Sequence, residues 1–274
     1  MIQPLPIIAE PSNQRRPRPR LGVFKFASCD GCQLSLLDCE DQLLDVAEKV
    51  EIAFFREATR RPLEGTFDVA LVEGSISNSE QEAAIRAVRA RSRFLVCLGA
   101  CASHGGIQAL RNQSTSEELI RIVYADPSTI ELLDQSHPAS AYVPVDLELP
   151  GCPINKDQLI EVLAWTLAGA RPTIHRHALC LECKRRGLVC VLVARGEPCL
   201  GPATSTGCGA ICTSYDRPCF GCYGPAEKPN AQALAARLAE LGAAPDAIRR
   251  LFQTFYATAP DFQKASRIHD GTRV

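Results

Sequence analysis

The sequence predicts an α/β chain in which a doubly wound parallel sheet precedes a smaller, irregular unit organised around cysteine. Three observations carry that expectation. Short apolar runs alternate with helical patterns through residues 21–169. Those runs are nearly continuous in apolar residues, as strands buried on both faces are. Eight of the 14 cysteines then fall between Cys180 and Cys222, where periodicity is lost and Gly and Pro are frequent. Residues 1–20 read as a flexible arm, 21–169 as a flavodoxin-like domain and 170–274 as the second unit.

The elements follow in order. LGVFKFA (21–27) is a strand and residues 33–48 form one amphipathic helix. VEIAFFRE (50–57) and FDVALVEG (67–74) are strands, SEQEAAIRAVRARS (79–92) a helix and RFLVCLGA (93–100) a strand. Residues 116–124 are helical, AYVPVDLEL (141–149) is the last strand and residues 155–169 are a helix. Beyond the cysteine-rich stretch, residues 230–242 and 245–257 return to helix, and the last dozen residues read as loose. Among the prolines Pro17 and Pro19, Arg15, Arg16, Arg18 and Arg20 suit an extended arm rather than a helix.

Composition narrows the function. With 46% hydrophobic and 22% charged residues the chain is an ordinary globular protein, and a net charge of −1 gives no field for nucleic acid. No apolar run reaches the roughly 18–20 residues of a membrane span. Arg15–Arg16 lacks the long apolar stretch that an export signal places after such a pair, so a cytoplasmic location is expected. No G-x-G-x-x-G stands between a strand and a helix, so nicotinamide binding is not expected of this chain.

Cys29 and Cys32 follow the first strand in SCDGCQ, Cys101 follows the fourth in LGACASHGG and Cys152 follows the last in PGCPIN. Loops at the carboxyl ends of parallel strands gather along one edge, where doubly wound folds bind ligands. Four distant thiols can therefore meet, and glycines 31, 99, 105, 106 and 151 let backbone approach a bulky inorganic group. Glu73, after the third strand, belongs to the same edge and suits orienting a ligand loop or relaying protons. Taken alone, Cys29–Cys32 fits a zinc knuckle or a redox dithiol equally, and Glu73 alone fits a helix N-terminal charge. Cys39 and Cys97 read as packing residues.

The second unit carries two quartets: Cys180, Cys183, Cys190 and Cys199, then Cys208, Cys212, Cys219 and Cys222. Structural zinc also takes four thiolates, but ribbon sites pair C-x2-C at both ends, and each quartet here has one such pair. The irregular gaps suit a cube whose irons sit at separate corners, and Lys184, Arg185 and Arg186 offset its charge. Exchange of one cysteine between the quartets stays open.

SCDGCQ, VEGSIS, LGACASHGGI and PGCPIN, in this order, resemble the small subunit of nickel-iron hydrogenases over residues 21–225. The resemblance implies a proximal 4Fe-4S cluster on Cys29, Cys32, Cys101 and Cys152. Membrane-bound and periplasmic members carry a histidine in the distal cluster and a three-iron medial one. Cys180 stands where that histidine would fall, and Cys212 supplies a fourth medial ligand. The distal 4Fe-4S cluster is thus implied on Cys180, Cys183, Cys190 and Cys199, and the medial on Cys208, Cys212, Cys219 and Cys222. This departure, with CLECKRRG and PCLGP, is similar to the soluble sulfhydrogenase delta group that reacts with NAD(P). The family places the nickel-iron centre in a separate large subunit. The chain is accordingly expected to relay electrons between that centre and flavin and iron–sulfur diaphorase-type partners, without binding nucleic acid or membrane. The rival readings are the equivalent subunit of a deazaflavin-reducing hydrogenase and a zinc-stabilised binding module. Respiratory complex I-type subunits resemble only the first domain and have adjacent cysteines where C-x2-C stands here.

Overall fold

The computed structural model describes residues 18–60, 63 and 65–267. Arg15 and Arg16, and most of the expected arm, lie outside the described residues. The elements run β1 (Arg20–Lys25), α1 (Gly31–Leu37), α2 (Asp41–Lys49), β2 (Glu51–Phe55), β3 (Phe67–Glu73), α3 (Ser79–Ala90), β4 (Ser92–Leu98), α4 (Gly99–His104), α5 (Ser116–Val123), β5 (Leu147–Leu149) and α6 (Lys156–Leu167). After them come α7 (Cys180–Arg185), α8 (Val191–Arg195), α9 (Ile211–Ser214), α10 (Ala231–Glu240), α11 (Pro245–Phe252) and α12 (Pro260–Ser266).

The five strands pair in parallel in the order β2-β1-β3-β4-β5, the flavodoxin-like order expected. Alternate side chains feed opposite faces. Leu21, Val23, Val69, Leu71, Val96 and Leu98 pack against Leu36, Val46, Leu159 and Leu163 of α1, α2 and α6. Phe24, Ala70, Val72, Leu95 and Cys97 meet Ile85 and Val88 of α3. The helices start where short polar side chains accept orphan N–H groups: Asn78 from Gln81, Thr115 from Glu118 and Asn155 from Asp157 and Gln158.

Three expectations need correction. The helix expected over 33–48 is two, broken at Glu40 (φ 48°), and Lys156 Nζ takes the freed Asp38 carbonyl at 3.0 Å. The strand expected over 141–149 shrinks to Leu147–Leu149, because Pro144 has no N–H to donate and disfavours regular pairing before it. Part of the tail expected to be loose is α12. The cysteine-rich stretch, with too few apolar residues of its own for a core of useful size, borrows one from the helices that follow: Leu179, Val191 and Leu200 pack with Leu234, Leu238, Ile248, Phe252 and Phe262 of α10–α12.

Sheet register places the first cysteine set. Lys25 pairs with Glu73, Glu73 with Leu98 and Leu98 with Leu149, so four strands end on one row. The chain leaves that row toward Cys29 and Cys32, Cys101 and Cys152.

Candidate metal centres

At the row's end Glu73 is 2% exposed, and its carboxylate accepts N–H groups from Cys32 and Gln33, each at 3.1 Å. It thereby holds the first turn of α1, the turn that carries Cys32. Burial raises its pKa, opposed by those two N–H groups. Cys101 stands in α4, whose Ala100 N–H donates to Gly151 O at 2.8 Å and ties the Cys101 and Cys152 segments together. Two glycines make space for sulfur. A Cβ on Gly99 (φ +75°) would lie 2.5 Å from Cys32 Sγ, and one on Gly106 (φ +59°) 2.5 Å from Cys101 Sγ. Burial drives the Cys101 thiol up to about 12, with the charges of Cys152 and Cys29 adding to it. Burial likewise raises Cys152, again with Cys29 adding, and Cys32, with Glu73, Cys101 and Cys152 adding. The four thiols predicted to converge thus share one electrostatic neighbourhood.

Cys208, Cys212, Cys219 and Cys222 line a cavity of about 240 Å³ together with Cys152 of the first set. Burial, then the charges of Cys208, Cys212 and Cys152, pushes Cys222 up to about 12. Cys180 is driven up to about 11 by burial and then by Cys183, Cys199 and Cys190. Cys190 is exposed. A Cβ on Gly201 would touch both Cys199 Sγ and Cys180 Sγ, at 3.4 and 3.8 Å. The two quartets meet where Cys219 N–H donates to Cys199 Sγ at 3.2 Å. Cys183 Sγ also lies 3.2 Å from Thr213 Oγ1, between the second quartet's cysteines. The spatial order is therefore first set, Cys208 quartet, Cys180 quartet, although the chain runs through the last two in reverse. Cys97 is fully buried in β4, and Cys39 is buried with its sulfur 3.4 Å from Ser35 O.

All the donors are soft thiols, the donor type that iron–sulfur clusters take.

Two residues escaped sequence reasoning. Glu182 accepts N–H groups from Gly207 (2.8 Å) and Ala210 (2.9 Å), bracing the Cys208 loop as Glu73 braces Cys32. Its only sequence signal is an acid inside a basic C-x2-C segment. Asn155, the α6 cap, donates to Gly207 O at 2.9 Å on the same loop.

Residues 29–166 match the family described as NADH ubiquinone oxidoreductase, 20 Kd subunit. The chain is similar to Sulfhydrogenase 2 subunit delta of Pyrococcus furiosus, 40% identical over 86% of this chain and 98% of that one. It is also similar to a subunit of the F420-non-reducing hydrogenase of Methanocaldococcus jannaschii, 32% identical over 76% of this chain and 83% of the relative. A solved chain of an NAD+-reducing [NiFe]-hydrogenase in the H2-reduced state superposes with a TM-score of 0.53 at 35% identity, covering 57% of this chain and 95% of that one. Among the described residues no helix is long and apolar enough to cross a membrane.

Proposed function

The chain belongs to the NADH ubiquinone oxidoreductase 20 Kd subunit family, as the small subunit of a nickel-iron hydrogenase, and from that premise we propose that it relays electrons through three 4Fe-4S clusters. Cys29, Cys32, Cys101 and Cys152 hold the proximal cluster. Cys208, Cys212, Cys219 and Cys222 hold the medial one, and Cys180, Cys183, Cys190 and Cys199 the distal one. When bound, such clusters accept and release single electrons.

The observation that carries this reading is the pairwise linkage of neighbouring thiol sets. Cys152 lines one cavity with Cys208, Cys212, Cys219 and Cys222, and Cys219 N–H reaches the Cys199 sulfur. Each of these contacts joins one set to a neighbour, as a one-dimensional relay needs. The protein's own task is to keep the thiols apart and ready. Gly99 and Gly106 leave room for sulfur, while Glu73 and Glu182 fix the backbone beside Cys32 and Cys208. Buried thiols with raised pKa stay protonated until metal displaces the proton, so loading is coupled to proton release.

The proximal end faces the hydrogenase large subunit with the nickel-iron centre, which this chain lacks. The distal end presents exposed Cys190 and, directly after Cys183 on α7, exposed Lys184 and Arg185, which make no ion pair among the described residues. That cationic face suits a flavin- and iron–sulfur-bearing partner that reduces NAD(P), in the cytoplasm. The test is affinity purification of the tagged chain under anaerobic conditions. It should bring down a nickel-containing subunit, and hydrogen should bleach the brown absorbance. A nickel-free preparation whose colour ignores hydrogen would remove the relay reading.

A further inference from the structure

The three C-terminal helices contain no cysteine, yet a residue between them touches the loops of two thiol sets. We propose that Tyr256 is a positioning residue, which pins the segments bearing Cys101 and Cys152 to each other and to the loop bearing Cys222. The inference rests on the cluster reading above and gives the α10–α12 unit a part in it.

Tyr256 follows α11 and is 2% exposed. Its hydroxyl accepts the Gly151 N–H at 3.3 Å, one residue before Cys152. The Ser103 side chain lies beside the same hydroxyl. Ser103, two residues past Cys101, in turn donates to Gly99 O at 2.8 Å. With the Ala100 N–H to Gly151 O bond, these contacts close a ring around the Cys101 and Cys152 segments. The phenol ring does a second task. It lies 4.9 Å from the His104 ring, and a Cβ on Gly224 would stand 2.5 Å from it, so Gly224, two residues past Cys222, seats directly on the ring. Thr258 Oγ1 donates to His104 O at 2.7 Å and fixes the same contact from the other side of Tyr256.

A core aromatic kept for its bulk alone could be phenylalanine. The hydroxyl is what distinguishes the two. Without it the buried Gly151 N–H loses that acceptor, a loss felt at the first thiol set and not at the others. The ring serves Cys222 as well, so losing hydroxyl and ring together reaches two sets.

The test uses the anaerobically purified hydrogenase complex with a ferrous-iron chelator as probe, beside electron paramagnetic resonance of the reduced protein. In Tyr256→Phe about four of about twelve irons should leave about fivefold faster, the factor one net hydrogen bond is worth. One cluster signal should shift and the others should hold. Tyr256→Leu should extend faster release to about eight irons. Ser103→Ala, which keeps the ring and cuts the next link, should reproduce the Tyr256→Phe signature if that variant fails to accumulate. Unchanged release and unchanged signals in Tyr256→Phe, or in Ser103→Ala where only that variant accumulates, overturn the inference. An iron-free wild-type protein would instead overturn the cluster reading itself.

Discussion

Removing the Glu73 carboxylate should loosen α1 before it loosens anything else. The side chain is 2% exposed, and its two oxygens take the N–H groups of Cys32 and Gln33 at 3.1 Å each. Both donors sit in the first turn of α1, where no intrahelical acceptor exists. Glu73→Ala leaves two buried N–H groups without partners, at about 1–3 kcal/mol each. Burial opposes the charged carboxylate, since it raises the Glu73 pKa, so part of that cost is returned when the charge goes. A net loss of about 3 kcal/mol follows, which is about a hundredfold faster amide exchange for residues 32–37 if they open as a unit. Glu73→Gln separates the two effects. It keeps one acceptor and removes the buried charge, so its cost should stay below about 1 kcal/mol. Hydrogen–deuterium exchange of the α1 peptide measures both variants, with urea unfolding followed by Trp165, the single tryptophan, as the global control. Exchange at α1 that is the same in Glu73→Ala as in the wild type would refute the bracing role.

Gly99→Ala should abolish loading of the first site while the other eight or so irons stay, because its Cβ would sit 2.5 Å from Cys32 Sγ and 3.0 Å from Gly151 O; iron analysis reads the difference. His104, whose Nδ1 is buried without a partner among the described residues, has its pKa lowered to about 4 by burial and then by Arg176. The unfolded chain takes up that proton near pH 6.5, so stability is complete above that pH and falls toward pH 4, by about 2 kcal/mol between pH 7 and pH 5. Urea unfolding at the two pH values should show this loss in the wild type and a smaller one in His104→Gln. Charge reversal of Lys184 and Arg185 to Glu should raise the KM for the protein acceptor, most at low salt, while hydrogen-driven reduction of the chain's own clusters keeps its rate.

How far the sequence revealed this molecule depends on the range of the interactions involved. β1 to β4, α3 and α6 were legible because a strand buried on both faces needs an apolar run and a helix needs its own period. The break between α1 and α2 was not, because the Asp38 carbonyl is claimed by Lys156, which is far along the chain. The short β5 was legible in hindsight from Pro144. So was α12, since Pro260 at its first position and Asp261 in its first turn are start signals. The thiol sets could be grouped from spacing and from loop position after parallel strands. Their order came only through the family resemblance, which put the Cys208 quartet in the middle, since spacing alone puts the Cys180 quartet nearer to Cys152. Glu182 and Tyr256 were invisible. Each acts on backbone distant in sequence, Glu182 on Gly207 and Tyr256 on Gly151, and neither residue type marks such a role.

The central claim is that twelve thiols hold three inorganic cubes in series. Iron and acid-labile sulfide counted on the anaerobically purified chain, with Mössbauer spectra of the same sample, test it most directly. About twelve irons and about twelve sulfides, all in 4Fe-4S environments, are expected. Zinc in place of iron, or about four irons confined to one site, would contradict it.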